Sequence, residues 1–297
     1  MMKLYTHTDF DGLVSGLLLK KVYKVSESNI EFVEHYQITQ GTVIPTSDDI
    51  VADLPEAGGI WFDHHATGRD YDSDVDRQRY FDPTEKSCAR IIFNKHKRQL
   101  QEYSELVDEA DKIDSASLTK QDILNPGPAQ IVSITLRTGD YQADQLYLYA
   151  CLRALSSIAL DNMPYLSYVK RRYAEKMRMY EEGEQQVKQH INVYNHLIFI
   201  NLTKYLDAPK FRHYKMHIDY PDKKYFITIY RQKDGYIKFS MGYNIFHPDE
   251  NKIHIGDFFK RFHGGGHKNV GGAIVPEISV QTIMDQVFQI FEGKDVR

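Results

Sequence analysis

The sequence predicts a doubly wound α/β domain with a largely parallel sheet, joined by a helical linker to a smaller α/β domain. Three observations carry this. Over residues 1–150 short apolar runs alternate with helix-periodic segments, the pattern of parallel strands with helices between them. From residue 193 the pattern changes to closely spaced strand-like runs, a glycine-rich stretch and a terminal amphipathic segment. At 297 residues the chain is long for one hydrophobic core, since single cores stop growing at about 250 to 300 residues.

In chain order, KLYT (residues 3–6) reads as a buried strand, and Leu13, Leu17, Leu18 and Val22 then recur at helical spacing. IEFVEHY (30–36), DIVADL (49–54) and GIWFDHH (59–65) are strand candidates by their β-branched and aromatic content, and a helix begins over residues 87–93. Residues 140–192 read as helical with a break at Met163–Pro164, and residues 151–192 are taken as the linker. The run Lys170, Arg171 and Arg172 is read as a solvated helix face. In residues 193–297, LIFINL, YFITIY and YIKFSMGY are strands, FHGGGHKNVGGA is a glycine-rich loop, and residues 280–291 form a helix.

Composition narrows the function. The chain is 42% hydrophobic and 26% charged, with no apolar run near the roughly 20 residues of a membrane helix and no basic-then-apolar leader, so a soluble, cytoplasmic protein is expected. Cys88 and Cys151 have no CxxC spacing, which argues against a disulfide framework or a thiolate zinc site. Net charge is -4, unevenly spread: residues 195–297 hold 15 Lys and Arg against 11 Asp and Glu, and residues 1–194 hold 22 against 30. An acidic half suits a cation site and a mildly basic half suits a phosphate-bearing ligand. Neither supplies the dense basic face of a tight duplex-DNA binder.

The chemistry-bearing residues cluster at predicted strand ends. His7, Asp9 and Asp11 come at every second position after the first strand, one imidazole and two carboxylates suited to a divalent cation, with helix capping as the competing role for either aspartate. Asp53 ends DIVADL, and Asp63, His64 and His65 end GIWFDHH. In a parallel sheet functional residues gather at the carboxyl ends of strands, so these three groups should face one crevice. EADKIDS (109–115) adds Asp111 and Asp114, and spacing alone leaves either as a ligand. In the second domain Gly264, Gly265 and Gly266 allow close backbone approach to an anion, His267 can add a charge-assisted hydrogen bond, and Arg261 and Lys268 are nearby cations. The other histidines, among them His35, are read as ordinary.

HTDFDG, the aspartate of VADLP, FDHH, the aspartate of EADKIDSA and GGGH, in that order from His7 to His267, resemble the DHH phosphoesterase superfamily with a C-terminal DHHA1-type domain. The resemblance implies two Mn²⁺ ions, with Mg²⁺ or Co²⁺ as alternatives. It places His7 and Asp9 on one ion, Asp11, His64 and Asp111 on the other, and Asp53 on both. It sets His65 beside the substrate phosphate and Asp63 behind the histidine pair. Two such ions activate a water and neutralise phosphate charge during in-line attack. The implied activity is hydrolysis of a phosphodiester in a short oligonucleotide or small nucleotide, with phosphoanhydride cleavage in polyphosphate as the alternative. The implied active site lies in a cleft between the two domains. A non-catalytic phosphate-ligand binder is the rival of another class; every expected ligand position is filled, which favours an enzyme. No membrane or tight duplex-DNA partner is expected.

Overall fold

Five short parallel strands build the first sheet of the computed structural model, which describes residues 2–65, 78–247 and 250–292. They are β1 (Leu4–His7), β2 (Ile30–Val33), β3 (Ile50–Ala52), β4 (Ile60–Asp63) and β5 (Arg79–Phe81), in the order β2-β1-β3-β4-β5. The chain leaves β1 for one edge at β2 and returns to the other side of β1 at β3. That reversal opens a crevice at the carboxyl ends of β1 and β3, the usual ligand position in doubly wound sheets.

The flanking helices are α1 (Phe10–Tyr23), α2 (His35–Thr39), α3 (Cys88–Lys95), α4 (Lys97–Leu100), α5 (Ser104–Asp114), α6 (Lys120–Leu124), α7 (Pro128–Thr135) and α8 (Tyr141–Leu155). Leu13, Leu17 and Leu18 of α1, Ile92 of α3, Val107 of α5 and Leu148 of α8 are fully or almost fully buried in one core. Gly12 permits the tight approach of α1 to β1, because a Cβ there would lie 2.2 Å from the His7 carbonyl oxygen.

A long helix, α9 (Ser167–Val187), follows. Compact packing divides the chain inside it, at Lys176 and Met177. Cys151, Leu152, Leu155, Met163 and Val169 therefore belong to the core of the first unit, whereas the sequence placed them in a linker.

In the second unit β6 (Ile191–Val193), β7 (Leu197–Asn201), β8 (Tyr225–Arg231), β9 (Ile237–Tyr243), β10 (Gly265–Gly266) and β11 (Val270–Val275) form a mixed sheet ordered β10-β11-β9-β8-β7-β6. Among the described residues of this sheet only β7 and β8 pair in parallel. Helices α10 (His213–Asp219), α11 (Ile255–Lys260) and α12 (Val280–Glu292) complete it. Ile237, Phe239, Met241 and Tyr243 alternate inward along β9 against Phe258 and Phe259 of α11 and Ile283 and Val287 of α12. Among the described residues no helix is long and apolar enough to cross a membrane.

Candidate metal centre

The site grows out of three strand ends and one helix end. Past β1, Asp9 caps α1 by accepting from the Gly12 amide (2.9 Å), while its other oxygen lies 2.8 Å from His7 Nδ1. Capping and cation binding were competing roles for this residue, and its two oxygens serve the cap and the cluster separately. Asp11, one turn into α1 and buried, accepts from the amides of Cys88 (2.7 Å) and Ala89 (2.9 Å). Its negative charge thus sits at the positive end of α3.

Asp53 follows β3 and is wholly buried, with φ at +57°. The left-handed region costs an L-residue about 1–2 kcal/mol, and three hydrogen bonds, each worth about 0.5–1.5 kcal/mol, hold this segment in place. The Asp53 amide donates to the Phe62 carbonyl (3.0 Å), His35 Nε2 lies 3.2 Å from the Asp53 carbonyl, and the Trp61 indole donates to the Leu54 carbonyl (2.9 Å). Asp53 Oδ2 then lies 3.5 Å from His7 Nδ1, and its Oδ1 lies 3.9 Å from His64 Nε2 and 3.6 Å from His65 Nδ1.

At the end of β4, one oxygen of Asp63 accepts from the His64 amide (2.9 Å), the His65 amide (3.3 Å) and His65 Nδ1 (2.8 Å). His64 Nε2 meets Asp114 Oδ2 at 3.2 Å and Asp11 Oδ2 at 3.8 Å. Three groupings have the spacing to hold a metal ion: His7, Asp9 and Asp53; Asp11, His64 and Asp114; and Asp53, His64 and His65.

Of the two aspartates that spacing left open, Asp114 falls in one of these groupings and Asp111 does not. The Asp111 carboxylate accepts from Ser87 Oγ (2.6 Å) and Arg90 Nε (2.8 Å), which tie α5 to the start of α3, and Asp114, one helical turn on, stands beside His64 instead.

The centre has the signature of a cation site. Among the described residues both oxygens of Asp53 are buried without a hydrogen-bond partner, and the buried nitrogens His7 Nδ1 and His64 Nε2 meet carboxylate oxygens at 2.8 Å and 3.2 Å without hydrogen-bond geometry. Buried polar groups are otherwise nearly always paired, and unpaired carboxylate oxygens carry a full desolvation cost. Divalent cations held in these separate groupings would satisfy these atoms, and the mixed carboxylate and imidazole set is of a kind that suits such ions, Mn²⁺ among them.

Electrostatics agree. Burial, then Asp11 and Asp9, hold the Asp53 carboxyl well above its ordinary range. Burial and then Asp114 raise Asp11 to about 7. For His64, burial alone would lower the pKa, but Asp114 and Asp11 prevail and raise it to about 9. At His7 burial is likewise overridden, chiefly by Asp9, and the pKa reaches about 12.

A pH dependence follows. Asp11 and His64 have folded pKa values of about 7 and about 9 against ordinary values of 3.8 and 6.5. Stability contributed by those protons is present below the ordinary values and lost as pH rises through the folded ones. A metal ion must displace the same protons, so its apparent affinity rises over that window. The Tm gain from saturating Mn²⁺ over EDTA should therefore grow between about pH 6 and about pH 9. Thermal unfolding at several pH values checks this, and a gain that shrinks over that interval would contradict it.

Glu34 and His35, just past β2, were missed by the sequence reading. Glu34 accepts from Thr8 Oγ1 (2.5 Å) and lies 3.5 Å from His7 Nε2, while Arg137 Nη2 lies 2.6 Å from Thr8 Oγ1 and 2.9 Å from His7 Nε2. The His35 ring centroid is 4.3 Å from that of His7 and 5.5 Å from that of His65. The strand-end rule applied to β2 would have found both.

In the second unit the glycine run is a hairpin, with Gly265 facing Gly272 and Gly266 facing Gly271, rather than a loose loop. The Gly264 amide donates to the Phe259 carbonyl, so this one of the three glycine amides expected to face an anion is used within the unit, and the His267 amide donates to the Val270 carbonyl. Gly266 has φ at +136°, and a Cβ on Gly256 of α11 would lie 2.2 Å from its carbonyl oxygen, so glycine here also seats α11 on the hairpin. A Cβ on Gly265 would meet nothing within 4 Å. Arg261 lies 4.7 Å above the Phe258 ring, with Nε donating to the Phe258 carbonyl. Lys238, Ser240, His263 and Gly264 line an open groove with the residues of β11.

No protein-family model matches this sequence, and no curated protein matches it. Solved structures do. The DHH domain of a member of the s1p family of ribosomal proteins is similar with a TM-score of 0.58 and 15% identity, over 95% of this chain and 84% of that one. The chain therefore has the fold of the DHH phosphoesterases, a doubly wound parallel sheet with a second sheet-bearing unit. The pGpG-specific phosphodiesterase PggH of Vibrio cholerae is similar over 99% of both chains, with a TM-score of 0.76 and 22% identity. RecJ of Thermus thermophilus in complex with Mn²⁺ is similar over 99% of this chain and 52% of its own, with a TM-score of 0.63 and 11% identity.

Proposed function

We propose that the chain is a metal-dependent phosphohydrolase that cleaves the phosphodiester of a linear dinucleotide or short oligonucleotide. The observation that carries this is Asp53: a fully buried carboxylate, with neither oxygen hydrogen-bonded, between two groups of histidines and aspartates. His7 and Asp9 would hold one divalent ion, Asp11, His64 and Asp114 the other, and Asp53 both. Mn²⁺ is the ion assigned, from the donor set and in keeping with the Mn²⁺ complex of RecJ. When bound, such a pair supplies an activated water and neutralises charge on the phosphate.

The chain's own residues do the rest. The hydrogen bonds around Asp53 fix its backbone, and with it the direction of the side chain, before any ligand arrives. Asp63 fixes the His65 ring through Nδ1, and we assign His65 to the substrate phosphate rather than to a metal. The groove of the second unit, lined by Lys238, Ser240 and His263, is assigned by itself to a phosphate-bearing ligand, along with Gly265. A linear dinucleotide is favoured by the similarity to PggH along the whole length of both chains.

His65→Ala should lower kcat by at least about 10²-fold, the lower end of what a positioned proton-transfer or charge-stabilising group supplies, with Mn²⁺ content unchanged. Metal analysis beside the kinetics decides it, and loss of an ion would make His65 a ligand. The function itself is tested by a Mn²⁺-supplemented panel of linear dinucleotides, cyclic dinucleotides, nucleotide bisphosphates and polyphosphate, read by product identity. Mononucleotides from the linear dinucleotide are expected. Orthophosphate from polyphosphate alone would establish the phosphoanhydride reading, and binding without turnover would establish a non-catalytic binder.

A further inference from the structure

We infer that His35 is a positioning residue that holds Asp53 in its left-handed backbone conformation and so aims the central carboxylate. The inference rests on the metal-centre reading above and deepens it. His35 opens α2 immediately after β2, and its ring packs beside those of His7 and His65. Its Nε2 lies 3.2 Å from the carbonyl oxygen of Asp53. With the proton on Nε2, the imidazole donates to that carbonyl.

The peptide groups on both sides of the Asp53 α-carbon are thereby fixed, the amide by β4 through Phe62 and the carbonyl by His35. At φ +57° this residue gains from every restraint, because an L-residue released there relaxes toward the extended or right-handed region. Such a relaxation turns the carboxylate away from the two groups it faces. The two contacts of His35 have different consequences. Ring packing fills space beside His7 and His65, whereas the hydrogen bond acts on Asp53 alone.

Three substitutions separate them. His35→Phe keeps a ring and removes the donor; His35→Gln keeps a donor at the position of Nε2 and removes the ring; His35→Ala removes both. Mn²⁺ affinity and stoichiometry are read by calorimetry, with circular dichroism and Tm in EDTA reporting the fold. His35→Phe and His35→Ala should bind Mn²⁺ about 10- to 100-fold more weakly than wild type, the range for loss of a group that orients a metal ligand, and His35→Gln should recover most of that loss.

Wild-type affinity in His35→Phe would overturn the inference, as would His35→Gln binding no better than His35→Ala. Should His35→Phe not fold, the comparison of glutamine with alanine carries the same decision. A wild-type chain that takes up no Mn²⁺ would overturn the metal centre and this inference with it. Wild-type uptake of Mn²⁺ without turnover of any substrate would overturn the phosphohydrolase reading and leave the role of His35 standing.

Discussion

Asp53→Asn is expected to lower kcat by at least about 10³-fold, more than the about 10- to 100-fold typical when a residue behind a ligand is lost. The amide keeps the shape of the side chain and removes the charge that the proposed pair of cation sites would share. The same substitution should raise Tm in EDTA. Without a cation, Asp53 is a buried carboxyl held well above its ordinary range by burial and then by Asp11 and Asp9, so folding at neutral pH must bury the charge or take up a proton, a cost that the neutral amide avoids. Higher stability with lost activity is the pattern of a group kept for function at the expense of the fold. Arg261→Ala should cost far less activity, because its guanidinium lies over the Phe258 ring and it belongs to none of the candidate cation groupings. Kinetics and thermal unfolding of the two variants check this, and comparable losses of kcat would contradict the assignment of Asp53.

Asp114→Asn and Asp111→Asn should fail in different ways. Asp114 lies 3.2 Å from His64 Nε2, so its loss should weaken the proposed second cation site and lower kcat by about 10²-fold or more, at least as much as the loss of an orienting partner, with Mn²⁺ stoichiometry or affinity reduced. Asp111 bonds Ser87 and Arg90. Hydrogen bonds to charged groups contribute about 1.5–3 kcal/mol each, so its loss should lower Tm while leaving Mn²⁺ stoichiometry intact. Calorimetry with Mn²⁺ beside thermal unfolding separates the two. An Asp111 variant that binds one ion fewer would restore the ligand set implied by the family resemblance.

The two aspartates show where sequence reading stops. They stand three residues apart near the end of α5, on neighbouring sides of one helix, and what decides between them is Ser87 and Arg90, which lie more than twenty residues away in the chain. By contrast His7, Asp11, Asp53 and His64 were legible because parallel strands place their carboxyl ends at one edge, and the residues just past a strand are visible in the sequence. His35 escaped because IEFVEHY reads as one continuous strand; α2 begins within it and is only five residues long, too short to show a helical period. β5 (Arg79–Phe81) escaped for a similar reason, three residues without alternation. The glycine run gave no strand signal, since its pairing depends on β11 and, beyond it, β9 rather than on any propensity of glycine. The division inside α9 was hidden because an unbroken helix gives no compositional mark of a boundary.

The central claim is that Asp53 gathers two divalent cations to hydrolyse a phosphodiester. The most direct measurement is mononucleotide release from a linear dinucleotide such as pGpG by the wild-type chain and by Asp53→Asn, each in Mn²⁺ and in EDTA. Release by the wild type in Mn²⁺ alone, with none from Asp53→Asn in either condition, is the predicted result. Release that survives EDTA or the loss of Asp53, or none from a wild-type chain that binds both Mn²⁺ and the dinucleotide, would contradict the account.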